Sequence, residues 1–130
     1  MLFRSLTNLG IVERDNLVGQ AAKRGSYLQD RLQEAFGDHP LVGQVRGYGL
    51  IAAVEFVASR DPLRAFDPGQ KVAARVTAAS RAGGVLTRAL PASDTIAFSP
   101  PFIVSEAEID EMVAVTRRAL DGVAAELGRD

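Results

Sequence analysis

The sequence predicts an α+β domain in which a small three-stranded sheet is packed by helices. Apolar residues recur at helical spacing in several segments, and short apolar runs typical of strands lie between them. A chain of 130 residues, 47% hydrophobic and 24% charged, is long enough and apolar enough for one packed domain. The predicted order is helix, helix, strand, helix, strand, strand, helix, with the sheet covered mainly on one face.

Two helices are predicted before the first strand. The first carries an apolar stripe at helical spacing, made of Leu2, Phe3, Leu6, Leu9 and Ile11. No capping residue precedes this stripe. Asp15 or Asn16 is predicted to cap the second helix, which runs to about Phe36 and stops at Gly37.

An apolar run over residues 50–54 predicts the first strand. Because the run shows little polar alternation, we expect both of its faces to be covered. Gly47 and Gly49 precede it, but they lack the third glycine and the directly following helix of a phosphate-binding loop. We therefore predict a bulge or a tight turn that leads into the strand.

The last two helices have recognisable start signals. Asp67 as N-cap, with Pro68 at the first helical position, predicts a third helix that ends at residues 83–84, a glycine pair. Ser105 and Glu108 have the spacing of a capping box, in which each side chain bonds the backbone amide of the other residue. A long final helix is expected to follow Ser105.

Residues 84–91 and 95–101 contain short apolar runs on either side of a turn-forming Pro-Ala-Ser-Asp segment, which predicts a hairpin or a pair of neighbouring strands. Alternation places Leu86, Arg88 and Leu90 on one face of its first strand. A guanidinium cannot be buried without a partner, because losing its hydration costs several kcal/mol. Two interpretations stay open: Arg88 is solvated or paired with a nearby carboxylate at the strand end, or it meets an anionic ligand.

Composition excludes several kinds of function. The formal net charge of −1 gives no attraction for phosphate backbones, so nucleic acid is not expected as a partner. There is no cysteine, and the one histidine, His39, lies in a turn-rich stretch, so we expect an ordinary loop residue and no metal site. No apolar run could span a bilayer, and residues 1–9 lack the continuous apolar stretch of a secretory signal. We expect a cytoplasmic protein without a membrane partner.

The residues contain no complete catalytic set. The serines have at most His39 as a base, and none lies in a nucleophile-elbow motif. Lys23 and Lys71 lie on predicted helices among polar neighbours, where a lysine is normally exposed and protonated, so neither is expected to form a Schiff base. Asp110 and Glu111 are expected to be solvated. We therefore assign no catalytic residue.

Four segments, in order, resemble one family. They are residues 8–17 (NLGIVERDNL), 42–51 (VGQVRGYGLI), 84–88 (GVLTR) and 96–111 (IAFSPPFIVSEAEIDE). Together they are similar to the carboxy-terminal part of class III pyridoxal-phosphate aminotransferases, and in particular to the omega-amino-acid:pyruvate, or amine:pyruvate, branch. The similarity extends over almost the whole chain.

The resemblance implies the small domain of a fold-type I pyridoxal-phosphate (PLP) enzyme, lying over the active site of a dimer. Residues 1–130 then form one domain, with residues 1–14 as a helix entering from the large domain and residues 15–130 as the body. Arg88 matches the mobile arginine that grips a substrate carboxylate and swings away when the substrate is an uncharged amine. This implied role agrees with the second interpretation of Arg88.

The resemblance also implies what this chain lacks. The Schiff-base lysine, the aromatic residue that stacks on the cofactor ring and the aspartate at the pyridine nitrogen all lie in the family's large domain. PLP is therefore expected in the full-length enzyme, with none bound to this chain alone and no activity from this chain alone.

The expected function is transamination between an amine or omega-amino acid and a keto acid such as pyruvate, in a homo-oligomer. This chain would supply substrate-carboxylate recognition through Arg88, its one predicted substrate-binding residue. The alternative is a non-catalytic binding or oligomerisation module of the same fold. It rests on the apolar stripe of the first helix, since a bare apolar patch is a liability in a monomer.

Overall fold

A four-stranded antiparallel sheet lies at the centre of the protein, seen in a computed structural model that describes residues 2–91 and 93–128, with only the backbone of residue 2. The strand order is β1-β2-β6-β5. These strands are β1 (Val42–Tyr48), β2 (Ile51–Phe56), β5 (Arg88–Leu90) and β6 (Thr95–Phe98). A separate two-stranded ribbon pairs β3 (Ser59–Arg60) with β4 (Leu63–Arg64).

The predicted α+β class with a small sheet is confirmed, but the predicted strand number is wrong. The sheet has four strands because residues 42–48, for which the sequence predicts no strand, pair with β2 as a full strand. Gly43 and Gly47 interrupt the apolar pattern of this segment, so it lacks the signal of a strand. The predicted hairpin is confirmed as β5 and β6, and Ala92 of its turn lies outside the described residues.

Helices cover one face of the sheet. The described α-helices are α1 (Leu2–Arg14), α2 (Leu17–Phe36), α3 (Val72–Ala82) and α4 (Glu106–Glu126), of which α1 packs mainly against α2. Helices α2 and α3 pack on the strands, and α4 packs against both of these helices. Within the described part of the chain, none of the helices combines the length and apolarity needed to cross a membrane.

The burial of β2 alternates along the strand. Ala52, Val54 and Phe56 face the helices and are buried, whereas Ile51 is exposed and Glu55 is only partly covered. Our expectation that both faces of this strand are covered is therefore wrong among the described residues. The broader prediction, a sheet covered mainly on one face, is confirmed.

The β1–β2 connection is a two-residue turn, which confirms the tight turn predicted at these glycines. Gly49 adopts φ 56°, a left-handed conformation that costs glycine little. Gln29 of α2 donates from Nε2 to the Gly49 carbonyl oxygen at 2.9 Å. A Cβ on Gly25 would lie 2.5 Å from Gly49 Cα, so glycine at this position lets α2 approach the turn closely.

Two predicted helix starts differ in detail from the structure. Asn16 lies at the N-cap of α2, but its φ is 45° and its side chain makes no capping hydrogen bond. Asp67 accepts from the Gly69 amide but caps only a single 3-10 turn, Pro68–Gln70. Lys71 follows with a left-handed φ of 48°, which separates this turn from the next helix. Helix α3 therefore begins at Val72, later than predicted. The predicted ends at residues 37 and 83–84 are confirmed.

The capping box at the start of α4 is confirmed. The Glu108 amide donates to Ser105 Oγ at 3.2 Å, and the Ser105 amide donates to Glu108 Oε2 at 2.7 Å. The bond from the Ser105 backbone, followed by the one from its hydroxyl, lowers the pKa of the Glu108 carboxyl. The cap thus stabilises the ionised form of Glu108 at neutral pH.

We predict that Ser105→Ala lowers the free energy of unfolding by about 1 kcal/mol, because the Glu108 amide loses its acceptor. Urea unfolding followed by circular dichroism measures this difference. Ser105→Thr is the control and should retain most of the stability. An alanine variant as stable as the unchanged protein contradicts the assigned cap.

His39 is a turn residue as predicted, but it is buried rather than an ordinary exposed one. Its Nδ1 accepts from the Leu41 amide at 3.1 Å, and its Nε2 lies 3.4 Å from Asp121 Oδ1. Burial, together with the nearby positive charge of Arg117, lowers the pKa of the imidazole, although Asp121 opposes this. Since Nδ1 already accepts a hydrogen bond, protonating it removes the bond that closes the turn.

We predict that the free energy of unfolding falls as the pH drops from about 7 to 5. The unfolded chain takes up a proton on His39 near pH 6.5, while the lowered pKa leaves the folded chain unprotonated, so acid favours unfolding. His39→Asn should flatten this dependence, because His39 is the only histidine in the sequence. Urea midpoints at several pH values test it, and parallel curves for the two proteins refute it.

Asp110 is partly exposed, in keeping with the expected solvation, but it also bonds to another helix. Its carboxylate accepts from the Tyr27 hydroxyl at 2.9 Å and from Arg31 Nε at 2.7 Å, so it connects α4 to α2. These two bonds, with the one from Tyr27 first, lower the pKa of Asp110. The sequence position alone does not reveal this, because both partners are about 80 residues away.

Candidate functional site

No described helix covers the opposite face of the sheet, which we call the open face, although Thr95 on this face is buried. Cross-strand partners share a face, and the register places one row of four residues across all the strands of this sheet. In strand order, the row is Arg46, Ala53, Ala97 and Arg88. Both alanines are partly covered and both arginines are exposed. The open face therefore has an arginine at each edge and small side chains between them.

Arg88 is the first residue of the edge strand β5. It is exposed, and among the described residues it has no hydrogen-bond partner and no salt-bridge partner, so the structure agrees with the solvated strand-end arginine of the first interpretation and not with one paired with a carboxylate. Leu86 lies before the strand and is 79% exposed, and Leu90 is half-buried. The predicted strand face shared by Leu86, Arg88 and Leu90 is therefore wrong for Leu86, because the strand starts only at Arg88.

Arg46, at the opposite edge, is held by neighbours on the same face. Its Nη1 donates to Glu55 Oε2 at 2.5 Å and to Gln44 Oε1 at 3.1 Å. The Arg46 and Glu55 side chains are 41% and 36% exposed. The charges of Arg46 and Glu55 cancel each other. Arg88, in contrast, carries a positive charge on the open face that no described residue compensates.

Sequence reasoning missed the Arg46–Glu55 pair. The signal that could have identified it was Gly49, because a hairpin turn there fixes the β1–β2 register and brings Arg46 opposite Ala53. Because no strand is predicted over residues 42–48, the sequence alone does not yield this register.

Neither Lys23 nor Lys71 lies in a pocket where it could form a Schiff base with the aldehyde of PLP. Lys23 is exposed on α2, and Lys71 is exposed at the rim of a cavity of about 620 Å³ beside β2 and the β5–β6 turn. The cavity lining is largely apolar, and its Asp94 already accepts from the Ala73 amide at 3.0 Å. The described residues therefore do not fit PLP as a complete site, and no reaction step through that cofactor follows from this chain.

Curated relatives of this chain are transaminases. The diaminobutyrate–2-oxoglutarate transaminase of Halomonas elongata is 46% identical over 125 residues, which cover 96% of this chain and 27% of that protein. The putrescine–pyruvate aminotransferase of Pseudomonas aeruginosa is 35% identical over 123 residues, covering 93% and 26%. This chain thus spans about a quarter of the length of these relatives.

Solved transaminase structures have the same fold. A transaminase from a study of directed evolution by ancestral reconstruction superimposes with a TM-score of 0.91 and 52% identity, over 93% of this chain and 26% of that chain. The omega transaminase from Pseudomonas jessenii in complex with PMP gives 0.85 and 40%, again over 93% and 26%. These neighbours are PLP transaminases of fold type I, so the predicted fold type is confirmed.

The sequence model of the class-III aminotransferase family matches residues 4–120, which is most of the chain. This match, the relatives and the superpositions agree with the resemblance carried by the four sequence segments. The chain therefore belongs to the class III aminotransferase family.

Proposed function

We propose that this chain is the carboxy-terminal small domain of a PLP-dependent transaminase. The enzyme would transfer an amino group between an amine or omega-amino acid and a keto acid such as pyruvate. Two relatives support this class of reaction by name, since one is a putrescine–pyruvate and another a taurine–pyruvate aminotransferase. In this proposal residues 1–14 join the large domain and residues 15–130 form the small-domain body.

The observation that carries the proposal is the unpaired guanidinium of Arg88 on the open face. Arginine presents a rigid fork of donors that matches a carboxylate bidentately, and such charge-assisted bonds are stronger than neutral ones. Because no described side chain competes for Arg88, a substrate carboxylate would displace only water. The role we propose for Arg88 is therefore to bind and orient that carboxylate.

The position of Arg88 also permits the second behaviour implied by the family resemblance. It is exposed, at the start of an edge strand, with only Ala97 beside it across the sheet. Its flexible stem can therefore turn toward water without breaking any described contact. With Arg88 turned toward water, an uncharged amine substrate would not lie against a guanidinium that has lost its water and has no partner.

PLP, held by the remainder of the enzyme, would supply the electron sink that transamination needs. The contribution proposed for this chain is binding and orientation through Arg88. A cytoplasmic location and a dimeric assembly are part of the proposal and remain predictions.

We predict that Arg88→Ala in the full-length enzyme lowers kcat/KM for a carboxylate-bearing substrate by roughly 10- to 150-fold. This corresponds to the ~1.5–3 kcal/mol of a hydrogen bond to a charged group. An uncharged amine of similar size should be affected little. Steady-state kinetics on both substrates measures the difference.

Arg118→Ala is the matched control, because Arg118 is an exposed arginine on α4, outside the sheet. It should leave both substrates unchanged. Equal losses for the two substrates in Arg88→Ala would indicate a structural defect and would count against the proposed role.

One observation favours the second candidate function, an oligomerisation module. On α1, Phe3 is 88% exposed, Leu6 62% and Leu9 60%, while Leu2 of the predicted stripe has no described side chain. Helix α1 packs mainly against α2 among the described elements. The stripe therefore has the apolarity and exposure of a contact surface for a second copy of the chain.

If this candidate is correct, the 130-residue chain self-associates, and Leu6→Gln with Leu9→Gln weakens the association at least several-fold, since each buried leucine contributes about 1.5–3 kcal/mol. Val18→Gln is the control, because Val18 is an exposed apolar residue of α2 outside the stripe. Sedimentation equilibrium measures the association, and a strictly monomeric chain at high concentration rules this candidate out.

A further inference from the structure

The cavity of about 620 Å³ lies where β2 and β5 end and β6 begins. Residues of the segment 63–71 and of the first turn of α3 form its other side. Its volume falls within the roughly 300–1,000 Å³ of pockets that bind small molecules. The cavity is therefore large enough for a ligand with a short chain or a single ring.

Most of the cavity lining is apolar. Phe56, Val57, Phe66 and Ala73 line it, and each of them is at most 5% exposed. Leu63, which is 72% exposed, adds an apolar side chain where the cavity opens to water. Such a lining favours a ligand with an apolar body, because contact with it removes apolar surface of the ligand from water.

Four side chains of the lining are polar, and three of them already have partners. Asp94 Oδ1 accepts from the Ala73 amide at 3.0 Å. Ser93 Oγ lies 2.7 Å from Thr95 Oγ1, so these hydroxyls share a hydrogen bond. Glu55 forms the ion pair with the arginine of β1. A ligand group that needed one of these three side chains would have to break an existing bond.

The fourth polar side chain, Lys71, is exposed and has no hydrogen-bond or salt-bridge partner among the described residues. Its backbone has φ 48° and ψ 46°. This left-handed conformation is unfavourable for a lysine, because its Cβ crowds the following carbonyl oxygen. Residues held in such conformations cluster at ligand sites. The unpaired charge in the cavity lining is thus the positive charge of Lys71.

We propose that this cavity binds a small monocarboxylate with an apolar body, such as a short fatty acid. The carboxylate pairs with the ammonium of Lys71, and the apolar body lies against the apolar lining. A cationic ligand fits less well, because Lys71 repels it and the carboxylates of Asp94 and Glu55 are already bonded. The inference goes beyond the role proposed for Arg88, which does not line this cavity.

The test measures how strongly an acid protects Lys71 of the full-length enzyme from acylation by an N-hydroxysuccinimide ester. Peptide mass spectrometry gives the acylation rate of Lys71 and that of Lys23, an exposed lysine of α2 outside this cavity. Hexanoate is the probe, and acetate, hexanol and hexyltrimethylammonium are the comparisons. We expect hexanoate to slow acylation of Lys71 several-fold and to leave Lys23 unchanged. Acetate should protect far less, since each buried methylene strengthens binding about two- to fourfold.

Two alanine positions on α3 provide a matched pair of variants. Ala74 is exposed and lines the cavity, so Ala74→Phe should fill the space and abolish protection by hexanoate, measured against the same variant without acid. Ala78 is equally an exposed alanine of α3 but does not line the cavity. Ala78→Phe should therefore leave the protection unchanged. Loss of protection in both variants would indicate damage to α3 and would overturn the inference.

Calorimetry in the Arg88→Ala background tests the charge of the site without a contribution from the proposed substrate arginine. Lys71→Gln should weaken hexanoate binding about three- to tenfold, because a bond to a charged group is lost, and should leave hexanol binding unchanged. Lys71→Arg should retain hexanoate binding. Equal affinity for hexanoate in the glutamine variant and in its parent refutes the assigned role of Lys71.

The protection experiment has three results that overturn the inference. Protection by hexanol or hexyltrimethylammonium as strong as that by hexanoate would show that the carboxylate is not recognised. Equal protection of Lys71 and Lys23 would show a non-specific effect of the acid. If Lys71 is unreactive without any acid while Lys23 reacts, another part of the enzyme fills the cavity.

Discussion

Packing of α2 and α3 against one face of the sheet is the contact on which the remaining features depend. Leu28 and Phe36 of α2 and Val54, Ile96 and Phe98 of the strands are all nearly inaccessible to water. Burial of side chains of this kind contributes about 1.5–3 kcal/mol each. A register slip of one residue would bring the opposite face of a strand to the helices, so this packing determines which residues remain outside.

The same register determines which side chains lie on the open face. Val54 and Ile96 point toward the helices, so their neighbours Ala53 and Ala97 point away. The arginines at the two edges belong to the same row and must share the open side. Arg88 is thus exposed because of packing on the opposite face, and no local interaction is needed to hold it there. This geometry gives a free cation on a rigid support, suited to a ligand that is also held by another part of an enzyme.

Local signals in the sequence predicted local structure well. The capping box of Ser105 and Glu108 spans a few residues, so it could be predicted without knowledge of the fold. Arg88 attracted attention because a charge within an apolar run must be solvated or paired. The partners of His39 and Asp110 were missed for the opposite reason, since they lie on elements distant in sequence. Strand β1 was missed because its glycines remove the alternation that identifies a strand.

The central claim is that the guanidinium of Arg88 is free and receives a substrate carboxylate. Its most direct test is the rate at which an arginine-specific dicarbonyl reagent modifies Arg88 in the full-length enzyme, followed by peptide mass spectrometry. The account predicts that Arg88 reacts readily, and that pyruvate slows its modification several-fold whereas an uncharged amine does not. Modification of Arg88 at the same rate with and without pyruvate would contradict the account.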